Sequence, residues 1–182
     1  MTDLSDNERT WDAHTSAEFV AEDVDATMAT MTDDPIVVHV ATAVGARGGA
    51  AVRQFYTDHF VKHQAADMAL QRTSRTVTQN CVVDEMTVSF THDVEIPWIF
   101  PGVAPTGRRV VLPIVTVIGM VDGLVATEHI YWDQASALAQ VGLIDPSGLP
   151  ITGAEQVDAV QADPSPRAFN ALLPPTDPRA QP

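Results

Sequence analysis

Six consecutive residues, Glu128-His-Ile-Tyr-Trp-Asp133, carry the densest group of side chains suited to acid–base chemistry. Carboxyl, imidazole and phenol groups exchange or orient protons, and an indole supplies an apolar wall. The stretch ends a β-branched run that predicts a strand, and a helical pattern, Gln134 to Val141, follows at once. We therefore expect a pocket at this strand end in which a proton is moved on a bound small molecule.

The strand periodicity leaves open which of these side chains enter the pocket. Successive strand residues point to opposite faces, so His129, Tyr131 and Asp133 share one face, and Ile130 and Trp132 share the other. Glu128 falls opposite Asp133 unless a bulge near the strand end brings the two carboxylates together. Otherwise Glu128 is a surface or interface carboxylate. Both faces are consistent with a pocket wall.

Three more histidines and one tryptophan are candidates for the same pocket. His39 lies within Val37-Val-His-Val40, either as an acid–base group or as a hydrogen-bonded core residue. Of His92, Asp93 and Glu95, we expect His92 to enter the cavity. Trp98, in a loop rich in proline and aromatic residues, either borders the mouth or fills the interior. His14 lies one position off the apolar stripe of the first helix, at the pocket rim or on the surface.

Composition restricts the class of protein. The chain has 182 residues, 45% hydrophobic residues and a formal net charge of −14. Such acidity argues against nucleic acids and anionic membrane surfaces as partners. The single cysteine, Cys81, excludes an internal disulfide and fits a reducing, cytoplasmic setting. No apolar run approaches the length of a membrane span, and the N-terminus lacks a signal-peptide pattern.

Periodicity predicts the elements that position these side chains. Ser5 and Glu8 have capping-box spacing, and an apolar stripe then predicts one helix that ends at Asp33-Asp34-Pro35. The remaining pattern predicts a strand (36–42), a second helix (50–61), a strand (70–78), a strand within 81–93, a strand (108–120) and a returning strand (125–133). Asp122-Gly123 predicts a hairpin turn. We therefore predict one domain over residues 1–145 and a proline-rich extension over residues 146–182.

This order resembles the nuclear-transport-factor-2-like superfamily, in particular its SnoaL-like polyketide cyclase and ketosteroid-isomerase-like branch. The likeness lies in Gly48-Gly-Ala-Ala-Val-Arg-Gln-Phe-Tyr56, in Val121-Asp-Gly-Leu-Val-Ala-Thr-Glu128 and in Trp132-Asp-Gln-Ala-Ser-Ala-Leu-Ala-Gln-Val-Gly142. It implies an α+β fold in which a cone-shaped, curved antiparallel sheet, a cystatin-like α+β barrel, is wrapped by N-terminal helices. Because this fold serves enzymes and binding proteins alike, it does not fix the function.

The resemblance also implies roles. Asp133 matches the region of the aspartate that SnoaL-like cyclases use as acid and base, although an aspartate there also suits the N-cap of the next helix. His39 lies near the position of the ketosteroid isomerase base. The expected catalytic set is Asp133, His39, His92 and Glu128, and the expected substrate-binding set is His129, Tyr131, Trp98, Tyr56 and His14.

The resemblance thus predicts a cofactor-independent, metal-free enzyme of the cyclase, isomerase or dehydratase type that acts on a small hydrophobic carbonyl compound. Two alternatives remain, a non-catalytic binding protein of the same fold and an epoxide hydrolase-like enzyme. The strand from Val110 to Met120 lacks an Arg-x-Asp set, which argues against the epoxide hydrolase. Relatives pair through their sheets, so we expect a homodimer.

Overall fold

The protein folds as a curved six-stranded sheet with helices packed on its concave side. The computed structural model describes residues 4–161, 169 and 172–173. The helices are α1 (Leu4–Ser16), α2 (Val24–Ala29), α3 (Gly49–Phe55), α4 (Gln134–Gln140) and α5 (Gln156–Ala159), with π-helical segments at Ala17–Ala21 and Tyr56–Phe60. The strands are β1 (Met31–His39), β2 (Val44–Arg47), β3 (Ala69–Val77), β4 (Cys81–Thr91), β5 (Arg109–Val121) and β6 (Leu124–Tyr131).

The sheet order is β2-β1-β6-β5-β4-β3, and the sheet does not close into a barrel. All neighbours pair antiparallel except β1 and β6, which pair parallel and place Val37 opposite Glu128. The predicted α+β cone with N-terminal helices is confirmed, with this one parallel pair added. A parallel pair needs a long crossover, and here nearly the whole fold lies between β1 and β6.

The predicted single N-terminal helix is divided into two. After the π-helical segment, Glu22 adopts a left-handed conformation with φ 49°. Asp23 then restarts the chain as α2, because its carboxylate accepts hydrogen bonds from the backbone N–H groups of Asp25 and Ala26. The predicted terminator Asp33-Asp34-Pro35 instead lies inside β1, where a register shift between Met31 and Ile36 accommodates it.

The β5–β6 hairpin was predicted correctly. Asp122 and Gly123 have φ angles of 51° and 79°, as a two-residue turn between twisted strands requires. Along β5 every second side chain, from Val110 to Met120, is buried, and Glu128 and Ile130 of β6 are buried on the same side. This alternation determines which residues of the last strand enter the interior.

Part of the predicted proline-rich extension packs against the cone. The Ser136 hydroxyl donates to the carbonyl of Gly153 at 3.1 Å, and Gln156 donates to Asp133 at 2.6 Å. The rest of the extension, apart from residues 169 and 172–173, lies outside the described residues. Among the described residues, no helix is both long and apolar enough to cross a membrane.

Candidate functional site

The cone holds a cavity between its helices and the concave face of the sheet. The space between its lining atoms is about 490 Å³, part of it open to solvent. Among its lining residues there is no lysine or arginine, and most are apolar. The wall consists of Trp11, Thr15, Glu18, Phe19, Val37, His39, Tyr56, Phe60, Leu70, Met86, Val88, Trp98, Ile114, Thr116, Glu128 and Ile130.

A network of charged side chains fixes α1 across the sheet and so holds one wall of the cavity. The Trp11 indole N–H donates to Asp84 Oδ2 at 2.8 Å. Arg75 makes a two-point contact with the same carboxylate, at 2.6 Å for each bond, and also reaches Asp12 on α1 at 2.7 Å. The indole of Trp11 is therefore held by a buried ion pair rather than by apolar packing alone.

Glu128 is the centre of the polar end of the cavity. Its side chain is almost fully buried, and its Oε1 accepts a hydrogen bond from the Tyr56 hydroxyl at 2.8 Å. His14 Nε2 lies 3.1 Å from the same oxygen and 3.2 Å from Glu18 Oε1. An imidazole is thus placed between two carboxylates, with a tyrosine hydroxyl beside it.

The hydrogen bonds around His14 determine its charge. The Thr30 hydroxyl donates to the carbonyl of Thr27 at 2.6 Å, so its oxygen must accept the Nδ1–H of His14, also at 2.6 Å. Only acceptors then face Nε2, and the second ring nitrogen must be protonated as well. Burial lowers the pKa of His14, but Glu128 and Glu18 outweigh it and raise that pKa to about 10. We infer that His14 is an imidazolium.

Glu18 is the site residue that the sequence analysis missed. Burial raises its pKa, while the His14 imidazolium opposes that change. Glu18 follows His14 at i+4, which places both on one helix face and was the available sequence signal. That signal was weak, because the third partner, Glu128, lies far away in the chain. Glu18 is the second residue of the π-helical segment that follows α1.

His39 occupies an aromatic part of the wall. Its Nδ1–H donates to the carbonyl of Val44 at 3.2 Å, which leaves Nε2 as an acceptor. Its ring lies 5.1 Å from Trp98 and 5.4 Å from Phe60, measured between ring centroids. Burial lowers the pKa of His39 to about 4, so the ring is neutral at neutral pH. His39 and Glu128 share the inward face of the parallel β1–β6 pair.

The carboxylate cluster also has the composition of a metal site. Ligand atoms of His14, Glu18 and Glu128 all lie within 4.8 Å of one another. A divalent ion would have to displace the proton that His14 Nε2 carries here. The absence of a metal, which the family resemblance implied, stays a prediction.

The expected position of Asp133 in the cavity is not what the structure shows. Asp133 is exposed, and its Oδ1 caps α4 by accepting the backbone N–H groups of Ala135 and Ser136. Tyr131 is also exposed, and His129 is half-buried outside the cavity wall. The parity of β6 gives the physical reason, since Glu128 and Ile130 take the inward positions.

The remaining predicted residues divide between the cavity and the core. Tyr56, Trp98 and His39 line the cavity, and His14 is buried behind it rather than at the rim. His92 is buried away from the cavity wall, 4.7 Å from the Phe100 ring and with Nδ1 3.2 Å from the Thr106 hydroxyl. The structure therefore brings together His14, Tyr56 and Glu128, with His39 alongside.

Comparison with solved structures shows the fold. A putative SnoaL-like polyketide cyclase from Jannaschia sp. CCS1 has 19% sequence identity and a TM-score of 0.64, over 80% of this chain and 98% of that one. AclR, a putative hydroxylase from Streptomyces galilaeus, has 20% identity and a TM-score of 0.60, over 79% and 89%. The epoxide hydrolase/cyclase-like enzyme SalBIII has 16% identity and a TM-score of 0.54, over 73% and 95%.

Comparison by sequence gives the family. No curated protein matches the chain. The profile of the SnoaL-like domain matches residues 12–128, more than half of the chain, and this range includes His14, Glu18, His39, Tyr56 and Glu128. The chain belongs to the SnoaL-like domain family, and its fold is that of the nuclear-transport-factor-2-like group.

Proposed function

We propose that the protein is a cofactor-independent acid–base enzyme of the cyclase, isomerase or dehydratase type. Its substrate is a small hydrophobic carbonyl compound bound in the cone. The observation that carries this proposal is a buried carboxylate, Glu128, held beside Glu18 at the polar end of a cavity whose lining is mostly apolar. A carboxylate with little water around it is well suited to removing a proton next to a carbonyl.

In this proposal, one oxygen of Glu128 is held by structural contacts and the other carries out the chemistry. Oε1 receives the Tyr56 hydroxyl and faces the His14 imidazolium. Oε2 is therefore the atom left to take a proton from the carbon next to the substrate carbonyl. The same oxygen then returns that proton to a different carbon, or to the carbon that closes a ring. Fixed partners keep the carboxylate in one orientation throughout.

His39 and the aromatic wall contribute binding. Because His39 is neutral with an Nδ1–H bonded to Val44, it offers Nε2 as a hydrogen-bond acceptor to a substrate hydroxyl. The rings of Trp98 and Phe60 pack against His39 and cover the apolar part of a ring-shaped ligand. In this proposal Glu128 transfers the proton, and Asp133, which is exposed, does not.

The test uses a β,γ-unsaturated cyclohexenone in deuterated buffer. Nuclear magnetic resonance follows deuterium incorporation next to the carbonyl, and ultraviolet absorbance follows the conjugated isomer. We expect Glu128→Gln to lower both rates by on the order of a hundredfold to ten-thousandfold. The matched control, Glu85→Gln, changes a half-buried carboxylate that the Ser74 hydroxyl contacts from the neighbouring strand. Equal rates in wild type and Glu128→Gln would overturn the proposal.

A non-catalytic binding protein is the second candidate. It is favoured by the pairing of Oε1 of Glu128 with Tyr56 and His14 and by the mostly apolar wall. This candidate predicts saturable binding of the same ketone, with the ligand recovered without deuterium. An epoxide hydrolase-like activity has less support, because the cavity lining contains neither an aspartate nor an arginine.

We also propose a homodimer that forms through the outer face of the sheet. The outward residues of the middle of β5 are all partly exposed and uncharged: Val111, Pro113, Val115 and Val117. In a chain with a formal net charge of −14, such a row suits a second copy better than solvent. Light scattering should report a dimer at micromolar concentration, and Val115→Asp should shift it to a monomer. A wild-type monomer would contradict this proposal.

A further inference from the structure

The cavity continues into a groove on the surface of the protein. Thr15, Phe19, Leu70 and Met86 line both spaces, so the two meet between the first helix with its π-helical segment and the β3–β4 pair. The space between the lining atoms of the groove is about 680 Å³, part of it open to solvent. A ligand whose ring lies in the cavity can therefore extend through this opening into the groove.

Two arginines line the groove, and only Arg72 has a guanidinium available to a ligand. Arg75 is nearly buried, and it holds Asp84 through two bonds of 2.6 Å and Asp12 Oδ1 at 2.7 Å. The side chain of Arg72 is 47% exposed. Within the part of the chain that the structure describes, its guanidinium has one polar contact, to the same Asp12 oxygen at 3.5 Å. That distance is beyond an ordinary hydrogen bond, so Asp12 binds Arg75 more strongly than it binds Arg72.

The register of the sheet places Arg72 at some distance from Glu128 on the concave face. Arg72 pairs with Met86, and Met86 pairs with Ile114 on β5. Glu128 pairs with Ile118, further along the same strand. Three strand spacings and four residues of β5 separate the two positions, which corresponds to no more than about 20 Å between their Cα atoms. A ligand that reaches from Glu128 to the groove therefore needs a chain in addition to its ring.

We propose that Arg72 binds a carboxylate of the substrate, and that the substrate is a ring ketone with an acidic chain. This inference rests on the proposed function, since it names the far end of the same substrate. The ring and its carbonyl lie in the cavity, whose lining contains no lysine or arginine, and the chain passes the apolar residues shared by the two spaces. The guanidinium presents parallel N–H donors that match the two oxygens of a carboxylate.

The charges beside Arg72 favour a singly charged anion. The guanidinium of Arg75 stays bound to Asp84 and Asp12, so a ligand carboxylate replaces only the 3.5 Å contact between Arg72 and Asp12. A phosphate dianion would bring two negative charges beside Asp12 against one available guanidinium. The chain as a whole carries a formal net charge of −14, and a cation at the opening lowers the repulsion that an acidic ligand meets there.

A matched pair of probes tests this contact in the wild-type protein. The acid is a conjugated cyclohexenone that carries a pentanoic acid chain on its ring, and the neutral probe is the methyl ester of the same compound. Isothermal titration calorimetry should show that the acid binds about fivefold more tightly than the ester at low salt, as for a partly exposed ion pair. Salt at about 0.5 M should remove most of this difference. Equal affinities for acid and ester at low salt would overturn the inference.

Two variants show whether Arg72 causes the preference. Arg72→Gln removes the charge and keeps much of the length of the side chain, so it should bind the acid about fivefold more weakly and the ester within about twofold of wild type. The control is Arg53→Gln, because the Arg53 side chain is 49% exposed and lines neither the cavity nor the groove. It should change neither affinity. An unchanged preference for the acid in Arg72→Gln would also overturn the inference.

Turnover separates this inference from the proposed function. A preference for the acid that depends on Arg72, without deuterium exchange into the bound acid, would support the inference and refute the proposed function alone. Exchange into both probes with the same KM, unchanged in Arg72→Gln, would support the proposed function and overturn the inference alone.

Discussion

Acidification should destabilise the fold through His39. The ring is almost completely buried among Phe55, Phe60, Trp98 and Trp132, with centroid distances of 5.1 to 6.0 Å. Burial lowers its pKa from 6.5 to about 4, against the opposing effects of Glu128 and the Val44 carbonyl. Between these two pKa values, His39 is protonated in the unfolded chain and neutral in the folded chain.

The pKa values set the sign and the size of this effect. A depressed folded-state pKa leaves stability intact above 6.5 and removes it progressively as the pH falls towards about 4. Each pKa unit corresponds to about 1.4 kcal/mol, so the full loss is about 3 kcal/mol. That amount is a large share of the stability of an ordinary domain.

Urea unfolding at a series of pH values measures the loss. His39→Asn keeps an N–H donor for Val44 but cannot titrate. The difference in unfolding free energy between wild type and this variant should therefore change by about 3 kcal/mol between about pH 7 and 4. His59→Asn, at an exposed position, is the control. Parallel stability curves for wild type and His39→Asn would refute the reasoning.

Three further outcomes can be measured on single variants. Asp133→Ala should lower the unfolding free energy measured in urea by about 1 kcal/mol, because α4 loses its N-cap. The turnover per folded molecule in the ketone assay should not change. Tyr56→Phe should lower the rate of deuterium exchange into the ketone and cost about 1–3 kcal/mol of stability, because Glu128 loses its 2.8 Å donor. Arg75→Ala should lower the unfolding free energy measured in urea by about 3–5 kcal/mol, because Asp84 then stays buried without its partner. An equal loss in Arg72→Ala, which changes an exposed arginine, would contradict this prediction.

The sequence predicted an element correctly where a local pattern of residue types determines that element. Alternating apolar residues identified β5 and β6, and Asp122-Gly123 identified the turn between them. The pattern in β6 could not decide the inward face, because Ile130 and Tyr131 suit a wall equally well by residue type. The decision came from the register with β1 and β5, where Val37 and Ile118 flank Glu128. Such register is a property of distant segments.

The division of the first helix shows the same limit. The residues Ala17 to Ala21 contain neither glycine nor proline, so the periodic pattern runs through them. The structure ends the helix at Glu22 in a left-handed conformation and restarts it at Asp23, whose carboxylate is the cap. Aspartate at position 23 was a possible cap signal. No residue near this break indicates that Glu18 and His14 will pack against Glu128, which lies far away in the sequence.

The most direct test of the account is a crystal structure of the wild-type protein with the conjugated cyclohexenone bound. We expect the ligand ring to lie against Trp98 and Phe60, with the carbon next to its carbonyl beside Glu128 Oε2. A ketone bound at the exposed strand end near Asp133, or a cavity that stays closed to the ligand, would contradict it.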